Sequence, residues 1–193
     1  MSNNSFQQEI NNAIEILKKG GTILYPTDTV WGLGCDATSE EAVSKIFKIK
    51  KREEAKSLIV LLEEDIKLNK YVKDVPEVAW DLVELSDSPL TVIYSEPYNL
   101  AKNVINSEDN SVGIRIVRDE FCYQLIRKFN KPLVSTSANI SGEPTPAIFK
   151  DINPQIISSV DYVVNLRQQE KTASKPSSII KIGKKGEVQV IRK

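Results

Sequence analysis

Apolar side chains along the chain follow two spacings, one typical of helices and one typical of strands. A three-to-four residue spacing behind a capping residue predicts amphipathic helices, which bury one stripe of side chains and leave the other face in water. Such helices are expected at 6–17 after Asn4 or Ser5, at 40–49 after Ser39 and at 120–129 after Asp119. A further helix is expected with Pro76 in its first turn and apolar residues at 78–85 facing inward.

Short runs rich in β-branched and aromatic residues predict the strands. They lie at 22–25, 57–62, 90–94, 112–117, 133–134 and 160–164, with a terminal hairpin formed by 178–182 and 188–191. Strands and helices thus alternate along the chain, an order that is typical of an α/β fold. We predict a single domain spanning 6–193, built on a twisted mixed or open sheet flanked by helices.

The amino-acid composition limits which ligands the chain can bind and which catalytic groups it can use. The 193 residues are 40% hydrophobic and 27% charged, which is ordinary for a soluble domain. Basic and acidic residues are equal at 26 each, so the overall charge argues against indiscriminate binding of nucleic acid. The chain has no histidine, the commonest general base, so a reaction must use lysine, arginine, hydroxyls, carboxylates, backbone amides or a borrowed metal.

Neither cysteine is expected to be catalytic. Cys35 and Cys122 are far apart and match no zinc or redox spacing, which favours buried, reduced thiols in a cytoplasmic protein. The N-terminal residues lack the basic and apolar regions of a signal peptide, and no segment approaches the length of a membrane span. We therefore predict a cytoplasmic location and no membrane partner.

Polar side chains cluster directly after two predicted strands. Thr27, Asp28 and Thr29 follow the first strand, and the run STSAN at 135–139 follows a later one. Open α/β sheets bind ligands in crevices at such strand ends. A capped turn is the alternative explanation for the serine-rich run.

A basic segment follows the helix that begins after Ser39. Residues 48–56 include Lys50, Arg52 and Lys56. Solvated cations that complement the helix dipole are one explanation for this segment. The other is an anion site, because cations here and hydroxyls at 135–141 together suit a triphosphate.

Arg115 lies inside the strand predicted at 112–117. A charged side chain in that position needs either water at the edge of the sheet or an anion in the crevice. The sequence leaves both alternatives open.

The spacing G-x-G-x-x-A at Gly32, Gly34 and Ala37 imitates a dinucleotide-binding motif. In that motif the first glycine ends the strand, whereas residues 26–31 intervene here. We predict instead that these glycines form a tight turn beneath the cleft. The chain contains no Walker sequence, so an ATP site would be built from dispersed cations and hydroxyls.

Four motifs occur in order along the chain: YPTDTVWGLG at 25–34, K-x-R at 50–52, STSAN at 135–139 and PSSII at 176–180. Together they resemble the motifs of the YrdC-like family of threonylcarbamoyl-AMP synthases, in its short form. The resemblance extends over nearly the whole chain. Glu53 departs from the family pattern, because a proline usually follows K-x-R.

The resemblance implies a YrdC-like fold and the synthesis of threonylcarbamoyl-AMP from L-threonine, bicarbonate and ATP, with release of pyrophosphate. This reaction is the first step of the t6A modification of adenosine 37 in tRNA. A tRNA-modifying threonylcarbamoyl transferase complex would receive the product, and direct contact with tRNA would be weak. Mg²⁺ would arrive with ATP, with no metal ligands from protein side chains.

The resemblance also assigns roles to residues by motif. The catalytic residues would be Lys50 and Arg52, and threonine would be bound by Thr27, Arg115, Ser177 and Ser178. ATP would be bound by Lys50, Arg52, Lys56, Ser57, Ser111, Ser135, Ser137, Asn139, Ser141, Thr145 and Arg192.

Two other functions are compatible with the same fold. One is an RNA-binding or ribosome-associated module, which the zero net charge disfavours. The other is a paralogue that retains the nucleotide site but carries out another carbamoyl-nucleotide chemistry. Pyrophosphate release that requires threonine would distinguish the synthase from both.

Overall fold

The computed structural model of the chain describes residues 3–52, 58–172 and 175–193. In this described part there are five α-helices: α1 (Asn3–Lys18), α2 (Glu40–Lys50), α3 (Glu77–Leu85), α4 (Glu120–Phe129) and α5 (Pro154–Ser159). The predicted caps of α2 and α4 are confirmed, because the side chain of Ser39 accepts from the Ala42 amide and that of Asp119 from the Cys122 amide. The predicted cap of α1 is wrong, since Asn4 and Ser5 lie inside the helix.

Nine strands in the described residues form one mixed sheet, which confirms the predicted α/β class. The strands are β1 (Ile23–Tyr25), β2 (Gly32–Gly34), β3 (Ile59–Leu62), β4 (Leu90–Ser95), β5 (Ser111–Ile116), β6 (Leu133–Ser137), β7 (Tyr162–Val163), β8 (Ser178–Ile182) and β9 (Val188–Arg192). Their order across the sheet is β7-β1-β2-β6-β3-β5-β4-β8-β9. The predicted hairpin at the end of the chain is confirmed as the antiparallel pair β8 and β9.

The glycines at 32 and 34 form a strand, so the predicted tight turn is wrong. Strand β2 pairs with β1 on one side and with β6 on the other. A Cβ atom on Gly34 would lie 2.6 Å from Cε1 of Tyr25 and 2.9 Å from the carbonyl oxygen of Val134. Glycine is needed there because the Tyr25 ring and the β6 backbone fill the space that a side chain would occupy.

We expect Gly34→Ala to lower the free energy of unfolding by about 1–3 kcal/mol, because neither the backbone nor the buried ring can move freely. Gly113→Ala is the matched control, since the nearest atoms to its Cβ would be side-chain carbons: Thr91 Cγ2 at 3.3 Å, Ile59 Cγ1 at 3.8 Å and Ile93 Cγ1 at 4.0 Å. Urea denaturation of both variants measures the difference. An equal loss of stability in the two would contradict the packing argument.

Strand β6 continues through Ser137, although the sequence predicted its end at Val134. Ser135 pairs with Ile59 of β3, and Ser137 pairs with Gly32 of β2. Neighbouring strands on both sides satisfy this polar backbone, so the strand extends in spite of the low strand propensity of serine.

Two hydrophobic cores lie on opposite faces of the sheet. One contains Leu24, Val60 and residues of α2, and the other contains Tyr25, Leu61 and residues of α1 and α4. Successive side chains of a strand point to opposite faces, which explains why neighbouring residues enter different cores. Helices α1 and α4 pack against each other on their face and leave part of the sheet beyond them for a cavity.

Candidate active site

A cavity of about 360 Å³ lies on the sheet face that carries Leu61 and Arg115, which are register partners in β3 and β5. Its floor is a row of small and apolar residues, because Gly113 pairs with Ile59 on one side and with Ile93 on the other. The polar side chains around this floor come from distant parts of the chain: Thr29, Arg52, Thr91, Arg115, Ser135, Thr136, Ser137, Thr145, Ser177 and Arg192.

Seven of the residues predicted from the sequence line this cavity. They are Arg52, Arg115, Ser135, Ser137, Thr145, Ser177 and Arg192. Two more, Lys56 and Ser57, lie outside the described residues. Arg52 of the basic segment and two serines of the STSAN run therefore line one cavity.

Arg115 and Asp28 form a buried pair at the cavity. The Arg115 side chain is 4% exposed and that of Asp28 is 7% exposed, and Arg115 Nη2 lies 3.0 Å from Asp28 Oδ1. The two groups are close enough for charge attraction but are not aligned for a hydrogen bond. Within the described part of the chain, Arg115 Nε and Nη2 and both carboxylate oxygens of Asp28 have no hydrogen-bond partner.

These unpaired atoms indicate a site for a charged ligand. A buried polar group that makes no hydrogen bond costs about 1–3 kcal/mol, and a ligand that pairs with it recovers this cost. Strand β5 lies between β3 and β4 inside the sheet, which rules out the alternative of an edge-strand arginine in water. Arg115 is therefore available to bind a carboxylate or a phosphate in the cavity.

A second arginine reaches the cavity from the last strand. Arg192 donates from Nε and Nη2 to the carbonyl oxygen of Ser177, at 2.9 and 2.7 Å. Burial and the charge of nearby Arg115 lower the pKa of Arg192. Because two guanidinium groups repel each other here, an anion between or beside them would be stabilised.

Arg52 contributes a third guanidinium to the cavity lining. It follows the C-terminal end of α2 and is half-buried. Burial lowers its pKa, but an arginine remains charged at neutral pH. Three cationic side chains and several hydroxyls therefore surround one apolar floor.

Lys50 does not line the cavity. Its ammonium group is buried and donates to the backbone oxygens of Ser137 and Asn139, at 2.5 and 2.7 Å. Asn139 is also held within its own loop, because its Nδ2 donates to the backbone oxygens of Ile140 and Glu143. The Ser141 amide donates to the backbone oxygen of Lys50, at 2.8 Å.

Three other predicted residues are also placed beside the cavity lining and not in it. Thr27 Oγ1 donates to the Val30 carbonyl, at 2.8 Å, inside the β1–β2 connection. Ser111 Oγ donates to Asp109, at 2.6 Å, at the start of β5. Ser178 follows the cavity-lining Ser177, and alternation along a strand directs its side chain to the other face.

Sequence reasoning assigned no role to four polar residues at this site: Asp28, Thr29, Thr91 and Thr136. Thr91 Oγ1 lies 2.8 Å from Ser177 Oγ, and a threonine within an apolar strand was the available signal. Asp28 was noted in the polar turn but given no role, because its partner Arg115 is 87 residues away in sequence (115 − 28). Such long-range pairing has no local signature.

The donor set fits an anionic ligand better than a bare metal ion. Among the described residues there is no group of three or more aspartate, glutamate, cysteine or histidine side chains that could hold a metal. The cavity offers cations and hydroxyls, which bind phosphate and carboxylate oxygens. In addition, no helix in the described segments has the length and apolar character needed to cross a membrane.

Comparison with solved structures places this architecture among known folds. The chain superimposes on E. coli YciO with a TM-score of 0.83 at 24% identity, covering 97% of this chain and 89% of that one. P. abyssi Sua5, solved in complex with L-threonine, gives a TM-score of 0.80 at 25% identity. That alignment covers 90% of this chain and 50% of the Sua5 chain, so the present chain spans about half the length of that protein.

Sequence comparisons agree with the structural ones. A protein of Psychromonas ingrahamii named threonylcarbamoyl-AMP synthase is 35% identical over 156 residues, which cover 79% of this chain and 81% of the relative. The model of the Sua5/YciO/YrdC family, described as "Telomere recombination", matches residues 15–193. This chain therefore belongs to the Sua5/YciO/YrdC family.

Proposed function

We propose that this chain is a nucleotidyltransferase that makes threonylcarbamoyl-AMP from L-threonine, bicarbonate and ATP and releases pyrophosphate. The observation that carries the proposal is that three arginines line one cavity. One of them, Arg115, is buried and has two nitrogen atoms that make no hydrogen bond among the described residues. The names of the curated relatives support the same reaction. The product would serve the first step of the t6A modification of tRNA.

In this proposal Arg115 holds the threonine carboxylate. Its Nε and Nη2 atoms provide two parallel donors, the arrangement that suits a carboxylate. P. abyssi Sua5 has been solved with L-threonine bound, which supports an amino-acid subsite in this fold. Asp28, beside Arg115, keeps that guanidinium in place before the substrate arrives.

Arg52 and Arg192 would bind the triphosphate, with hydrogen bonds from Ser135, Ser137 and Thr145. The apolar floor at Ile59 and Ile93 gives the less polar parts of the substrates a surface to pack against. Mg²⁺ would enter with ATP and neutralise part of the phosphate charge.

The proposed reaction has two steps and requires no histidine base. Bicarbonate loses hydroxide to give carbon dioxide, and the threonine amine adds to its carbon, forming an N–C bond as one C–O π bond opens. The amine proton combines with the hydroxide to form water, which leaves a carbamate. A carbamate oxygen then attacks the α-phosphorus of ATP, and the bond to pyrophosphate breaks. Catalysis rests on aligning two anions and on stabilising the charge of the leaving group, which fixed cationic donors can do.

An assay of pyrophosphate release that omits each substrate in turn tests the proposal. We expect release only when L-threonine, bicarbonate and ATP are all present, and threonylcarbamoyl-AMP as the product by mass spectrometry. Release without threonine would indicate a different carbamoyl or hydrolytic chemistry. Steeply salt-dependent binding of tRNA, with no release under any condition, would favour the RNA-binding alternative.

A further inference from the structure

Arg167 links the connection between β1 and β2 to the start of α4. Its Nη1 donates to the carbonyl oxygen of Thr27, at 3.1 Å, and to Oδ2 of Asp119, at 2.9 Å. Its Nε donates to the two carboxylate oxygens of Glu170, at 2.9 Å each. One guanidinium therefore joins three segments: the β1–β2 connection, the cap of α4 and the loop that follows β7.

The backbone of Arg167 has a left-handed conformation, with a φ of 57°. This conformation is unfavourable for a residue with a Cβ atom, whereas glycine adopts it freely. An arginine here bears a conformational cost that glycine would avoid, and the contacts of its side chain offset that cost. The side-chain contacts, and not the backbone conformation, therefore account for an arginine at this position.

The carbonyl that this guanidinium binds belongs to the polar turn, which comprises residues 27–30. Inside the turn, Thr27 Oγ1 accepts from the amide of Thr29, at 3.0 Å. Just beyond the turn, the amide of Ala138 donates to the carbonyl oxygen of Trp31, at 3.1 Å. The polar turn is thus anchored to β6 at its end and to α4, through the guanidinium, at its start.

The polar turn carries the charged partner of Arg115. Asp28 Oδ1 lies 3.0 Å from Arg115 Nη2, but the two groups are not aligned for a hydrogen bond. Neither carboxylate oxygen of Asp28 has a hydrogen-bond partner among the described residues. The place of this carboxylate therefore depends on the backbone that carries it, and Arg167 holds that backbone one residue earlier, at Thr27.

We propose that Arg167 is a positioning residue for the amino-acid subsite, which fixes the polar turn so that Asp28 keeps Arg115 in place. Arg167 is not among the described residues that line the cavity, so it acts through the turn and not on the substrate. The inference rests on the proposed function, in which Arg115 holds the threonine carboxylate.

The contact of Arg167 with Asp119 is separate from the capping contact of Asp119. Asp119 Oδ1 accepts from the amide of Cys122, at 3.0 Å, whereas Arg167 binds Oδ2. Loss of the arginine therefore leaves the cap of α4 in place. Because the Arg167 side chain is 33% exposed, its ion pair contributes little to the stability of the whole fold.

Arg167→Gly tests the proposal, because it removes the side-chain contacts and suits the left-handed backbone. We expect the KM for threonine to rise about tenfold and the KM for ATP to stay within about twofold, since a small displacement of one binding group weakens the contact that it makes. Equal rises in the two constants would indicate a general distortion and overturn the proposal. An unchanged KM for threonine would overturn it as well.

Glu170→Gln is the matched control. It removes the charge opposite Nε of Arg167 and leaves both contacts of Nη1. Its kinetic constants should stay within about twofold of the wild type, because the Glu170 side chain is 48% exposed and its ion pair is screened by water.

Asp119→Asn tests the same link from its other end. Asparagine caps a helix as well as aspartate does, so α4 keeps its start while the charge facing Arg167 is lost. The KM for threonine should rise about threefold, and adding Asp119→Asn to Arg167→Gly should raise it no further, because both changes break one link. Additive effects of the two substitutions would contradict the proposal.

Hydrogen exchange at the Thr29 amide measures the polar turn without any substrate. This amide is bonded to Thr27 Oγ1, and it should exchange about tenfold faster in Arg167→Gly than in the wild type. The Val43 amide, bonded to the carbonyl oxygen of Ser39 in α2, should exchange at the wild-type rate. Unchanged exchange at Thr29 would overturn the proposal.

The same exchange measurement on Asp119→Asn decides the question if Arg167→Gly does not fold. Faster exchange at Thr29 supports the link, and wild-type exchange refutes it. Neither result depends on turnover, so absence of threonine-dependent pyrophosphate release by the wild type would refute the proposed function separately.

Discussion

Replacing Arg115 by lysine should raise the KM for threonine by about 10²-fold. Lysine keeps a positive charge beside Asp28 but loses the two planar donors, Nε and Nη2, that have no hydrogen-bond partner in the described structure. A hydrogen bond to a charged group contributes about 1.5–3 kcal/mol, so losing part of a two-donor contact accounts for an effect of this size. Threonine-dependent pyrophosphate release measures it.

The matched control is Arg118→Lys. Arg118 is exposed and donates to the Val83 carbonyl oxygen, at 3.1 Å, away from the cavity. We expect its kinetics to equal those of the wild type. An unchanged KM for threonine in Arg115→Lys, in a protein with wild-type thermal stability, would contradict the role assigned to Arg115.

Removing the Arg52 side chain should lower kcat and weaken the binding of the nucleotide. Arg52→Ala deletes a cation from the cavity wall, where charge on the phosphates must be stabilised as pyrophosphate leaves. Loss of one preorganised donor commonly reduces kcat by about 10²–10³-fold, and we expect kcat to fall in that range. Single-turnover release of pyrophosphate at saturating ATP separates this loss from weaker binding.

Lys48→Ala serves as the control, because it removes one positive charge from the exposed end of the same helix. Its rate should stay within about twofold of the wild type, since exposed charges are screened by salt. Wild-type turnover by Arg52→Ala would remove this arginine from the mechanism. Equal losses in the two variants would indicate a general effect of charge and not a contact in the cavity.

The two cations of the K-x-R motif illustrate how far sequence reasoning reached. Both were expected at the phosphates, because the sequence shows only that two basic residues lie two positions apart. Lys50 is the last residue of α2, and burial directs its side chain to the β6 backbone, whereas Arg52 lies beyond the helix and reaches the cavity. Helix geometry together with the position of β6 gives the two side chains different surroundings.

Strand β2 shows a second limit of predicting structure from the sequence. Its residues Gly32 and Gly34 have low strand propensity, and a turn was predicted for them. Hydrogen bonds from β1 and β6 on either side make the segment a strand, and the Tyr25 ring fills the space of the absent side chain. These contacts come from residues more than 100 positions away in the case of β6, so no local pattern could indicate them.

The sequence by itself determined the features that depend on neighbouring residues. Helical periodicity and the caps Ser39 and Asp119 indicated α2 and α4, the alternation of elements indicated the α/β class, and the polar runs at strand ends indicated where the cavity lies. The tertiary structure decided the features that depend on long-range pairing: the order of nine described strands, the contact of Arg115 with Asp28, and the burial of Lys50. Local propensity acts over a few residues, whereas register and burial are set by whichever distant segment packs alongside.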